Sequence, residues 1–181
     1  VEGDGNFSAS GQGFAAGQGP GIVHNGAAVG ASHGGWGGSN GSYGPYGSIT
    51  NPTSLGSGGG DEHSGAGGGA IVLNVSNNLT IDGSITANGQ NYTDAWGSGG
   101  SGGSINISTD VLTGSGTVST NSGTGHVWAM GNSSGGRIAY SYADNSGSNI
   151  VYQSYGGACP DIDGAAGTIY DVTANDLTID N

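Results

Sequence analysis

Two glycines set ahead of an isoleucine, repeated along the chain, constrain its folding more than any other feature. Gly68-Gly69-Ala70-Ile71, Gly102-Gly103-Ser104-Ile105 and Gly135-Gly136-Arg137-Ile138 share the pattern, and Ala166-Gly167-Thr168-Ile169 keeps its second glycine. The isoleucines lie 34, 33 and 31 residues apart. A second landmark holds the same register. Leu79-Thr80-Ile81-Asp82 recurs unchanged as Leu177-Thr178-Ile179-Asp180, 98 residues further on, which is also the distance from Ile71 to Ile169. Leu79/Leu112, Gly83/Gly116, Ile85/Val118 and Asn88/Asn121 match at an offset of 33. A period of this length marks a repeat architecture, in which one unit buries its apolar face only against its neighbours.

Each period carries two short β-branched runs, as in Ile71–Val75 and Leu79–Ala87, and then a Gly/Ser stretch. Nowhere do apolar residues recur at helical spacing over three turns, so helical repeats are excluded. The expected fold is therefore all-β with almost no α-helix: a parallel β-helix, or β-solenoid, with coils of 31–34 residues at 68–101, 102–134, 135–165 and 166–181. Alternation points Ile71, Leu73, Val75, Ile105 and Ile107 inward, and Val72, Asn74 and Asn106 outward. Residues 1–67 fit the period poorly. Gly5–Gln12 mirrors Gly83–Gln90, which predicts a half-coil, followed by a Gly/Ser/aromatic excursion packed on or beside the solenoid.

Composition narrows the function. Glycine supplies 43 of 181 residues, 24 of them among the first 70, and 13 acidic residues face a single basic one, Arg137, for a net charge of −12. A chain without lysine is repelled by phosphate backbones and anionic lipid, so nucleic acid is excluded as a partner. Its longest aliphatic run, Ala70–Leu73, is far short of a membrane span. The start at Val1, without methionine or leader, reads as a mature product or a segment of something longer. Cys159 is the sole cysteine, leaving a small buried hydrophobe or an intermolecular thiol.

The strings GGGAIVLNV, LTIDGSITANG, GSGGSINIS, SSGGRIAYSY and GAAGTIYDV…LTIDN resemble the glycine-rich repeats of large extracellular surface proteins in the right-handed parallel β-helix, pectin-lyase-like group. The resemblance covers residues 68–181 and, more loosely, 1–67. It implies a surface or matrix role and an extracellular or cell-surface location, and it transfers no catalytic residue.

Candidate sites follow from side-chain chemistry. N-glycosylation sequons occur at Asn6, Asn40, Asn74, Asn78, Asn91, Asn106 and Asn132, so covalent N-glycans are expected. Trp96 and Trp128, nearly one period apart, form a candidate sugar-stacking platform, with coverage of a glycine-lined edge as the alternative. Asp161-x-Asp163-Gly164 is a fragment of an oxygen-rich loop and a weak calcium candidate; no other cofactor is expected, and the four histidines show no metal spacing. Gly-x-Ser-x-Gly at Ser32, Ser39, Ser101 and Ser133 lacks any strand–turn–helix context. Asp82 and Asp180 fall three coils apart, too far for a glycosidase pair. The catalytic set is accordingly empty. The reading that results is a non-enzymatic structural glycoprotein, the repeat unit of an extracellular filament assembling head to tail with itself. A carbohydrate-binding adhesin is the alternative, and a polysaccharide-active enzyme comes third.

Overall fold

The computed structural model describes residues 5–22, 29–38, 43–94, 96–129, 131–159 and 162–179. Nine strands run in chain order: β1 (Asn6–Ser8), β2 (Ala70–Thr80), β3 (Ser84–Thr86), β4 (Ser104–Thr113), β5 (Thr117–Ser119), β6 (Arg137–Ser141), β7 (Val151–Gln153), β8 (Thr168–Asp171) and β9 (Asp176–Thr178). They segregate into two sheets. One holds β1-β3-β5-β7, all parallel; the other holds β2-β4-β6-β8-β9, parallel except for its last pair. No helix occurs among the described residues.

The sequence landmarks set the register. Ile71, Ile105, Ile138 and Ile169 stand side by side across β2, β4, β6 and β8. Phe7, Ile85, Val118 and Tyr152 do the same in the other sheet. The slip from an offset of 34 at Ile71/Ile105 to 33 at Leu79/Leu112 is a bulge in β2 between Val75 and Asn78. The Thr109 hydroxyl fills it, donating to the Asn77 carbonyl at 2.7 Å. Ile81, Ile85, Ile105, Ile107, Leu112, Val118 and Ile138 are all fully buried and form one cluster contributed by both sheets. Each such isoleucine contributes about 1.5–3 kcal/mol on burial.

A continuous β-helix is nevertheless not what forms, and two features overturn that expectation. The strands make two separate short-stranded sheets, one of four parallel strands and one of five mixed strands. Moreover Leu177 and Thr178 do not take the place that their twins Leu79 and Thr80 occupy. Asn175, in the left-handed region at φ 55°, reverses the chain after β8, and β9 pairs antiparallel with it. Ile81 is fully buried, whereas Ile179 in the identical tetrapeptide is 64% exposed.

The Gly/Ser stretches form a third region that is not a sheet. Gly65 and Gly68 donate their N–H groups to Ser98 and Ser101, three residues apart on both strands of the contact. Phe14 and Gly17 donate to Gly56 and Gly59, and Gly56 and Gly59 donate to Gly68 and Gly65. Bonds every third residue, to several neighbours in different directions, are the pattern of extended threefold segments of the polyproline II kind, whose backbone groups radiate around the axis. At the closest approaches of such segments a side chain has no place. A Cβ on Gly102 would collide with the Thr120 carbonyl oxygen, and one on Gly100 with that of Ala66. The excursion of the first 67 residues is threaded into this bundle, through Gly34 to Gly135, Gly38 to Asn132, and Ala31 to Ser133.

Arg137 clamps the excursion to the second sheet. Its side chain is buried, with Nε donating to the Tyr46 carbonyl at 2.8 Å and Nη1 to the Thr168 hydroxyl at 3.1 Å. His33 packs beside it, fully buried, with Nδ1–H donating to the Gly102 carbonyl at 2.7 Å. Burial and the nearby guanidinium push the imidazole down to about 4, so it is neutral.

Candidate functional site: an exposed aromatic platform

Three turns stack side by side on one edge of the glycine bundle. Thr93 donates its N–H to the His63 carbonyl at 2.9 Å, Tyr92 to that of Thr124 at 3.0 Å, and His126 to that of Gly97 at 2.8 Å. Asn91 extends this lateral bonding, its Oδ1 accepting from the Thr124 N–H. The turns therefore present their side chains together.

Trp96 and Trp128 meet there, ring centroids 4.8 Å apart and planes tilted by 36°. His126 packs edge-on against Trp128 at 5.1 Å, and Tyr92 against His126 at 5.2 Å. The tryptophans do not cover a core: they are 56% and 60% exposed. Trp96 also holds a left-handed backbone at φ 81°, a conformation costing about 1–3 kcal/mol in a residue other than glycine. The Trp128 backbone N–H donates to Nδ1 of His126 at 3.3 Å.

Acidic groups border the platform. Asp94 Oδ2 lies 3.9 Å from His63 Nδ1, and Glu62 Oε1 lies 3.8 Å from His63 Nε2. Both carboxylates are exposed. Beyond His63 an open cleft of about 480 Å³ runs between Ala16–Gln18 and Gly60–His63. The platform thus joins apolar ring faces, carboxylate acceptors and a shallow trough.

The remaining candidates fall elsewhere. Asn6, Asn74, Asn78 and Asn91 are exposed and Asn106 is half-buried, its amide donating to Asn51. Asn132 is fully buried, its Oδ1 accepting from the Gly99 and Ser133 N–H groups and its Nδ2 donating to the Ala158 carbonyl, which leaves no room for a glycan in the folded chain. Asn40, Asp161, His24, Ser39 and Asp180 lie outside the described residues. Asp163 accepts from the Cys159 N–H at 2.8 Å, and the half-buried Cys159 thiol donates to the Ile162 carbonyl. Among the described residues no three His, Cys, Asp or Glu side chains cluster as a metal site. Ser32, Ser101 and Ser133 are buried and bonded within the glycine bundle.

Periodicity brings Trp96 and Trp128 together, but it did not single out Tyr92 and His126. A faint signal was present, since Tyr92 and Thr124 are offset by 32 residues and His126 follows two later. The part played by residues 61–63 has no repeat signal at all. Comparison of the chain with protein-family models, curated proteins and solved structures finds no match. No helix among the described residues is long and apolar enough to cross a membrane.

Proposed function

We propose that this chain is a non-enzymatic carbohydrate-binding module of an extracellular surface, and that it holds neutral sugars on the Trp96/Trp128 platform. The observation that carries the reading is the mutual contact of two tryptophans that both remain more than half exposed. Aromatic faces of this kind match the C–H faces of pyranose rings, while carboxylates match sugar hydroxyls. Charge sets the class further. A net charge of −12, with the only guanidinium buried, disfavours acidic polysaccharides and favours neutral ones. The exposed sequons at Asn6, Asn74, Asn78 and Asn91 are consistent with the same location.

Affinity electrophoresis through neutral and acidic polysaccharides, read together with tryptophan fluorescence, tests this. The expected result is retardation and an emission shift with a neutral glycan only. Trp128→Ala should weaken binding at least tenfold and leave the fold intact, while Trp36→Phe, away from the platform, should leave it unchanged. Equal retardation of wild type and Trp128→Ala would overturn the proposal.

A further inference from the structure

The unpaired sheet edges carry an inference independent of the sugar platform. β1 forms one edge of the parallel four-stranded sheet and β7 the other. In β1, Phe7 is 50% exposed although its ladder neighbours Ile85 and Val118 are fully buried. At the opposite edge Val151 is 50% exposed, and the Tyr152 hydroxyl is buried without a partner. The sequence of β1 is itself a copy of the β3 motif, so a second β1 laid against β7 continues the ladder: Asn6 opposite Val151, Phe7 opposite Tyr152, Ser8 opposite Gln153.

The same docking brings β2 of that second copy against β8, with Ile71 opposite Ile169. β9 now occupies that edge. Its grip is slight: three exposed residues held after a turn at the left-handed Asn175, with Leu177 44% and Ile179 64% exposed. The chain follows the repeat as far as Thr173, whose hydroxyl both accepts from the Tyr142 N–H and donates to the Tyr142 carbonyl, and departs from it only afterwards. The identical tetrapeptide Leu79–Asp82 shows that this sequence is compatible with the in-register position, where its isoleucine is fully buried.

We propose that β9 is a displaceable cap over a self-association edge, and that the occupant of the uncovered edge is the β1–β2 end of a second copy of this chain. Continued straight on from β8, Leu177 and Thr178 would run beside residues 144–148, and the incoming β2 would pair along the whole length. The contact is head to tail and does not close on itself, so it propagates.

Sedimentation velocity on the whole chain over a wide concentration range, in a Cys159→Ser background, tests the proposal. Tyr170→Cys with Leu177→Cys, opposite residues of the β8–β9 pair, locks the cap when oxidised. Asn175→Val, which disfavours the left-handed turn, and Thr178→Pro, which weakens β9 pairing, open it. Both opening variants are expected to associate at least tenfold more tightly than the parent, in an open-ended series, and Phe7→Asp should abolish the association. The oxidised lock should stay monomeric and regain the parent's behaviour on reduction. A lock that associates as well oxidised as reduced, or opening variants that fold and stay monomeric, would overturn the proposal.

Discussion

His33 ties the acid stability of the molecule to a single ring. With its imidazole held near 4 in the fold and free to titrate near 6.5 when unfolded, the unfolded chain takes up the extra proton as pH falls. Its contribution is complete above about pH 6.5 and is lost progressively towards pH 4, amounting to about 3 kcal/mol. Urea melts at pH 7.5 and pH 4.5 should therefore show a larger acid loss in wild type than in His33→Gln, whose amide can still donate to Gly102. Equal losses would assign the acid sensitivity to the carboxylates. The ring was legible in the sequence only as one of four histidines without metal spacing; it packs against Tyr46 of the same excursion and beside Arg137, 104 residues further along the chain.

At the scale of elements, strands and glycine segments were legible to different degrees. Isoleucine spacing fixed which residues stand side by side, because parallel pairing sets each isoleucine beside the one in the next repeat. The glycine pairs were visible too, but only as landmarks of the repeat. Their partners are backbones of the neighbouring repeats, such as Ala87, Thr120 and Ser154, and in part of the first 67 residues, and backbone-to-backbone packing leaves no apolar periodicity to detect. Position matters more than composition here. Gly102→Ala should cost at least about 3 kcal/mol or prevent folding, because the methyl meets the Thr120 carbonyl on a backbone that is itself fixed. Gly44→Ala, whose methyl would lie 3.5 Å from the Trp36 ring in ordinary contact, should change stability by less than about 1 kcal/mol. Thermal melts of the two variants side by side make the comparison.

For the whole molecule, the repeat predicted continuity and the structure shows a stop. The identity of Leu79–Asp82 with Leu177–Asp180 argues for the same environment at both places, yet Asn175 turns the second copy outward. One residue in a left-handed conformation thus overrides a match of four, since local turn chemistry is decided without reference to a distant ladder. The aromatic platform shows the converse. Trp96 and Trp128 were legible as a pair because they follow the period, while Glu62, His63 and Asp94 reach the same surface through three adjoining turns whose association only the folded chain reveals.

The burial of Arg137 has a practical corollary. Trypsin cleaves after lysine or arginine, and the only such residue in the sequence lies 5% exposed within the fold. The native protein should therefore resist the protease however long its surface turns are, and each cut should record an opening of the clamp between the excursion and β6. When cleavage comes, it can yield only two products, 1–137 and 138–181. Where opening and reclosing are fast relative to cleavage, the rate at which those fragments appear on a gel follows the population of the open form, a readout of stability that needs no added probe.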